Sequence, residues 1–189
     1  MILDLSEDRR FVVVSSFRVP RGMDPSVTLK EVRSAIPNSE IQFFDGERIA
    51  GKEHLKIAAI DASHAFKSGM SISRSLAMET LLYASAQRQI DAAITKTGVT
   101  HDSTIVGFVA FSENQKDARV LEDRIAQVVG VQLNDELLEE WSAQKARNIA
   151  TLYGISESEL EAVKMPRQRI EKAITKAVVE RIALLSTRI

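Results

Sequence analysis

IQFFDGERIAGKEHL, Ile41 to Leu55, is the stretch on which the reading of the fold turns. Gly46-Glu-Arg-Ile-Ala-Gly51-Lys52 has the spacing of a phosphate-binding loop, after an apolar run at Ile41 to Phe44 and before a helical pattern. A working phosphate loop needs Ser or Thr after its Lys, because that hydroxyl coordinates magnesium. Here Glu53 stands at that position, and its charge repels phosphate, as does Glu47 inside the loop. Downstream, TIVGFVAF over Thr104 to Phe111 ends in Ser112-Glu113, without the Asp that would hold magnesium. The stretch is therefore strand, turn and helix entrance, with no nucleotide.

Outward from it, FVVV at Phe11 to Val14 is β-branched and reads as the first buried strand. Asp24-Pro25 opens a helix as N-cap and first residue, with a stripe at Leu29, Val32 and Ile36 and an end at Pro37-Asn38. Ile41 to Phe44 is the second strand. A helix then runs from about Lys52 to Lys67, with Leu55, Ala58, Ala59, Ala62, Ala65 and Phe66 on one face and Gly69 as its stop. Leu76 to Ala86 is apolar almost all round, so that helix should be central, with a break near Ser85 to Gln87. Ile90, Ala93, Ile94 and Thr97 resume a one-sided stripe that Gly98 ends.

Thr104 to Phe111 is a third strand. Ser112-x-x-Gln115 has the spacing of a capping box and opens a helix to Val129. Val131 to Leu133 is a candidate short strand, and Asp135 to Tyr153 reads as one helix. Ser156-x-x-Glu159 is a second capping box, and Pro166 can start a last helix to Ile182 or beyond, turning extended toward Ile189. No repeat or long linker interrupts the order. It predicts an α/β fold in a single domain, residues 1–189: a small mixed β-sheet packed with several α-helices and a helical C-terminal part, 134–189.

The bulk numbers narrow the function. At 189 residues, 44% hydrophobic and 27% charged, the chain has the make-up of an ordinary globular protein. No apolar run approaches the roughly 20 residues needed to span a bilayer, so no membrane partner is expected. MILDLSEDRR carries acids where a secretory signal wants bases. With no cysteine, disulfides and thiolate chemistry are excluded, and a cytoplasmic protein is the natural reading. A net charge of −1 argues against a general nucleic-acid coat and restricts any such contact to a local patch.

Little in the chain assembles an acid, a base and a nucleophile, so no catalytic residue, cofactor or metal is assigned. His54 and His64 lie ten residues apart, about 80° off one helix face, with no metal-binding spacing; they and His101 read as solvated or capping histidines. Asp135-Glu136 and Glu139-Glu140 read as helix-surface charges, and the cations of the last helix, Lys164, Arg167, Arg169, Lys172 and Lys176, as a solvated face.

Glu79 is different, because it sits in the most apolar helix. A carboxylate there is costly unless paired and hydrogen-bonded, so a structural ion pair is expected, with Arg74 and Arg88 the nearest cations; alternatively Glu79 holds an arginine in place for a ligand. Arg88-Gln89 follows at the bend, and a guanidinium fork beside an amide suits recognition of a phosphate or a base edge. The segment Glu47 to Lys96 holds seven Lys or Arg against five Asp or Glu, a slight basic excess.

IAGKEHLKIAAIDASHAFKSGMSISRSLAMETLLYASAQRQIDAAITKTGV resembles the kinase-binding, tRNA-recruiting small subunit of the KEOPS complex, known in animals as the PRPK-binding protein family. The family pattern opens a helix with Ile49, Gly51 and His54, and continues as Met78-Glu79-x-Leu81-Leu82-Tyr83-Ala84-Ser85-Gly-x-Arg88-Gln89-Ile90, then Ala93-Ile94 and Gly98. YGISESELEAV and VVERIALLS are also similar to the family's C-terminal part, so the resemblance runs from about residue 40 onward, its most specific part at 49–99. This chain departs from the family at Ala86, where Gly would permit a left-handed turn that Ala largely forbids, and a right-handed backbone is expected there if the rest of the pattern holds.

The resemblance implies a non-catalytic subunit of the assembly that makes threonylcarbamoyl-adenosine in tRNA. It implies two partners: the small atypical kinase subunit, which this chain would bind and regulate, and the single-stranded 3′ CCA end of tRNA. By the same inference the candidate tRNA contacts are Lys56, Arg74, Tyr83, Arg88 and Gln89. A frayed single strand needs stacking surfaces and a few donors with modest positive charge, which suits this composition. The alternatives are a regulatory module that binds a kinase without RNA, and an enzyme of another type.

Overall fold

Among the described residues four strands form one sheet: β1 (Ile2–Leu5), β2 (Arg10–Arg18), β3 (Glu40–Asp45) and β4 (Ile105–Ser112), in the order β1-β2-β4-β3. The structure, a computed structural model, describes residues 1–5, 10–163 and 169–187. The α/β class and the helical C-terminal part agree with the sequence reading. The sheet, expected to be mixed, is antiparallel at every pairing. The cause is topological. β2 and β3 run parallel, as strands joined through one helix do, but β4 inserts between them and pairs antiparallel with each, at Val14↔Val109 and Phe43↔Phe108. β1 was not expected as a strand; Ile2 to Leu5 adds to the edge of β2 through pairs such as Ile2↔Val13.

Alternation along the strands makes two cores. Val13, Phe17, Phe43 and Phe108 face Val32, Leu121 and Ile125 of α1 (Pro25–Ala35) and α5 (Gln115–Val129). Val12, Val14, Phe44 and Val109 face the other way, into the layer holding α2 (Lys52–Lys67) and α3 (Leu76–Ser85). Behind α2 and α3 pack α6 (Ala143–Tyr153) and α8 (Ile170–Thr187), while α4 (Ile90–Thr97) follows α3 and α7 (Glu157–Val163) packs on α8. In α3 nine residues are buried, as its uniform apolarity predicts. Each fully buried leucine contributes about 1.5–3 kcal/mol. Gly107 of β4 lets Leu138 and Leu55 approach, since a Cβ there would meet Leu138 at 2.9 Å.

The helix ends explain most boundary differences. Asp24 caps α1 as read, accepting the N–H of Ser26 at 2.8 Å. Asn114, not Ser112, caps α5: Ser112 still belongs to β4, and Asn114 accepts the N–H of Asp117 at 2.9 Å. The single helix expected over Asp135 to Tyr153 is two pieces, a 3-10 segment Asp135–Glu139 and α6, because Ser142 caps α6 by accepting the N–H of Lys145 at 3.0 Å. Buried Lys145 holds the joint, donating to the carbonyls of Leu138 at 3.3 Å and Glu140 at 3.1 Å. Val131 to Leu133 is not a strand. Ser156 does cap, accepting the N–H of Glu159 at 3.2 Å. The start at Pro166, the cations Lys164 and Arg167, and the extended end at Ile189 lie outside the described residues.

Candidate functional site

The loop between α2 and α3 is shaped by one acid. Glu79, in the first turn of α3, is fully buried, and its carboxylate accepts the backbone N–H of Ile72 at 3.1 Å and of Ser73 at 2.6 Å. Bonds to backbone donors meet the desolvation cost that the sequence flags at this position. They also fold the loop so that Met70 and Ile72 point outward, 67% and 41% exposed.

Beside that loop lies a cavity of about 430 Å³, open to solvent. Asp61 and His64 of α2 form one side, Met70 and Ile72 another. Tyr83 of α3, Arg88 beyond it and Leu185 of α8 complete the wall. Tyr83 is 5% exposed, so it is part of the wall and leaves little ring for stacking. Burial, then the charges of Glu79 and Asp61, hold its hydroxyl above the ordinary pKa, with Arg88 acting against them. Burial also raises the Asp61 carboxyl, and His64 one turn on partly offsets this.

Of the five tRNA candidates, the structure brings Tyr83 and Arg88 into one cavity. Arg88 and Gln89 are both exposed, and Gln89 begins α4 without using its side chain as a cap. Arg74 is exposed in the loop before α3. Lys56 is half-exposed near the start of α2 and pairs with Glu53 at 3.3 Å, more than a turn from the cavity's Asp61. Sequence reasoning missed Asp61, His64 and Leu185 as neighbours of this site. The i, i+3 spacing of Asp61 and His64 was readable; nothing local marks Leu185, which arrives from the far end of the chain.

The turn that presents Arg88 departs from expectation. Ala86 is left-handed, at φ 51° and ψ 41°. The helix ends in a full Schellman motif, with Gln87 N–H donating to the Leu82 carbonyl at 3.0 Å and Ala86 N–H to the Tyr83 carbonyl at 2.9 Å. Two buried side chains reinforce it. His54 Nδ1 accepts the N–H of Ala50 at 3.0 Å, which leaves the ring proton on Nε2 to donate to the Ala84 carbonyl at 2.8 Å. Tyr153 donates to the same carbonyl at 2.8 Å. His54 is thus a neutral core histidine, not a solvated one, with its pKa lowered to about 4, chiefly by burial. Lys96 lies 4.1 Å from the centre of the Tyr153 ring, and burial plus Arg181 lower its pKa to about 8.

Among the described residues no three His, Asp or Glu side chains gather as a metal set, and no helix is long and apolar enough to cross a membrane. The fold and the cavity define an α/β module with a mainly apolar cleft that carries a few polar groups, suited to binding. The chain belongs to the CGI-121 family of kinase binding proteins, whose sequence pattern matches residues 25–186, from the first residue of α1 to near the end of α8. No curated protein sequence is a significant match to it.

Proposed function

We propose that this protein is a non-catalytic, cytoplasmic subunit of the KEOPS complex for threonylcarbamoyl-adenosine modification of tRNA. It binds and regulates the small atypical kinase subunit and recruits tRNA through its single-stranded 3′ CCA end. Membership of a kinase-binding family supports the first contact. The observation that carries the second is the meeting of Arg88 and Tyr83 in one open cavity, with exposed Gln89 next to Arg88. An exposed guanidinium, an amide and an apolar wall suit a frayed single strand, which needs no broad basic surface. Gel-shift titration with intact tRNA and with tRNA lacking CCA tests this: the intact tRNA binds more tightly, and Arg88→Ala weakens it. Equal affinity for both RNAs defeats the proposal.

A second reading, a regulatory module that binds the kinase without RNA, is favoured by the exposed apolar residues Met70, Ile72 and Leu184 and by the net charge of −1. Under it a pull-down with the kinase subunit succeeds while no tRNA shifts at physiological salt. Turnover by the isolated chain would contradict both readings.

A further inference from the structure

The cavity beside Arg88 is not built for phosphate alone. Asp61, half-buried in its wall, would repel a phosphodiester, and His64 one turn away is a second polar group. A carboxylate is an acceptor only, with room for two donors at once. In an RNA the matching pair of donors is the 2′,3′-diol of the terminal ribose, since every internal ribose has its 3′ oxygen in a phosphodiester. An acid bonding a ribose hydroxyl is also the usual solution in dinucleotide sites. The volume, about 430 Å³, lies within the range of ligand pockets, and Met70, Ile72 and Leu185 supply an apolar wall for a base.

We propose that Asp61 reads the free cis-diol of an RNA's terminal ribose, so that the cavity takes a tRNA 3′ end only when no amino acid is esterified to it. The inference rests on the CCA-end reading above and gives that site a specificity-determining residue. Esterification consumes one hydroxyl of the pair and adds bulk against the Met70–Ile72 loop.

The test is binding of the full-length protein to four forms of one tRNA: ending in CCA, ending in 3′-deoxyadenosine, aminoacylated, and lacking CCA. The wild type is expected to bind the 3′-deoxy and aminoacylated forms about tenfold more weakly than the intact one. Asp61→Asn, checked for an unchanged melting temperature, is expected to bind intact and 3′-deoxy forms alike. Equal wild-type affinity for those two forms, a diol preference retained in Asp61→Asn, or tighter binding of the aminoacylated form overturns the role of Asp61. The wild-type comparison stands without the variant. If the tRNA lacking CCA binds as well as the intact one, the CCA-end reading falls and this inference with it. If it binds weakly while the diol makes no difference, only this inference falls.

Discussion

Glu139 places a carboxylate oxygen 2.6 Å from the backbone N–H of Lys52, at the entrance of α2. This is where a bound phosphate would sit if Gly46 to Lys52 were a nucleotide loop. The chain supplies its own anion there. Gly51, at φ 85°, lets that carboxylate approach, because a Cβ would meet Glu139 at 3.0 Å. The Lys52 side chain turns to Asp135 at 3.7 Å as well as to Glu136, so it too is committed within the fold, and its pKa is raised, first by its bond to Glu136.

Glu139→Ala should therefore cost about 1 kcal/mol, the usual worth of a helix N-terminal cap, read as a lower denaturant midpoint with unchanged slope. Magnesium-ATP should leave the wild-type melting temperature where it is. A rise in melting temperature with ATP would show that the loop holds phosphate after all.

Ala86 sits in a conformation that costs an L-residue roughly 1–2 kcal/mol. Ala86→Gly should relieve most of it, offset in part by the greater freedom of glycine in the unfolded chain. The expected gain is about 0.5–1 kcal/mol, or roughly 1–4 °C in melting temperature for a chain of this size. Loss of stability in Ala86→Gly would mean that the turn is not left-handed.

These two sites show what was legible in the sequence. Periodicity found α2, with ends close to those observed, and the buried character of α3, because both depend on side chains within a few positions. It failed where distant groups decide. Ala86 is left-handed because the Schellman bonds form and because His54 and Tyr153, 30 and 69 residues from Ala84, hold that carbonyl. Glu139, read as a surface charge, is a cap for a helix 87 residues away. Arg88 and Tyr83 could be marked by type and resemblance, but their sharing of a cavity depends on α2 and α8. The sheet was read as mixed because strand order cannot be read from local pattern: only the insertion of β4 between β2 and β3 makes every pairing antiparallel.

Glu79→Ala should loosen the α2–α3 loop before it unfolds the protein. Two backbone N–H groups, those of Ile72 and Ser73, lose a charged acceptor. The expected cost is about 2 kcal/mol, the worth of hydrogen bonds to a charge less the relief of no longer burying it. Hydrogen exchange at Ile72 and Ser73 should rise more than in the β4 backbone. Uniform change across the fold, or none in the loop, would contradict this role for Glu79.

The last prediction concerns acid. His54 is fully buried and neutral, and its pKa falls from 6.5 to about 4, mainly through desolvation, with Lys96 and Lys145 adding to the same direction. Above pH 6.5 neither the folded nor the unfolded chain protonates this ring, so its contribution is fully present. As pH falls from 6.5 toward 4, the unfolded chain takes up a proton that the folded chain refuses, and stability declines. The loss attributable to this group should approach about 3 kcal/mol by the lower end of that window. Carboxylates also titrate below pH 5, so the measurement is a difference: denaturant midpoints from pH 7 to 4 for wild type and His54→Gln. The variant should be less stable at pH 7, because the Ala50 and Ala84 backbone groups lose a matched partner. Its stability should also fall less steeply between pH 6.5 and 5, where only an imidazole changes charge to any extent. Parallel curves would mean that His54 is accessible to protons in the folded state. The Ala50 N–H would then lose its acceptor, because the added proton occupies Nδ1, while Nε2–H still donates to the Ala84 carbonyl and the turn presenting Arg88 keeps both its side-chain donors.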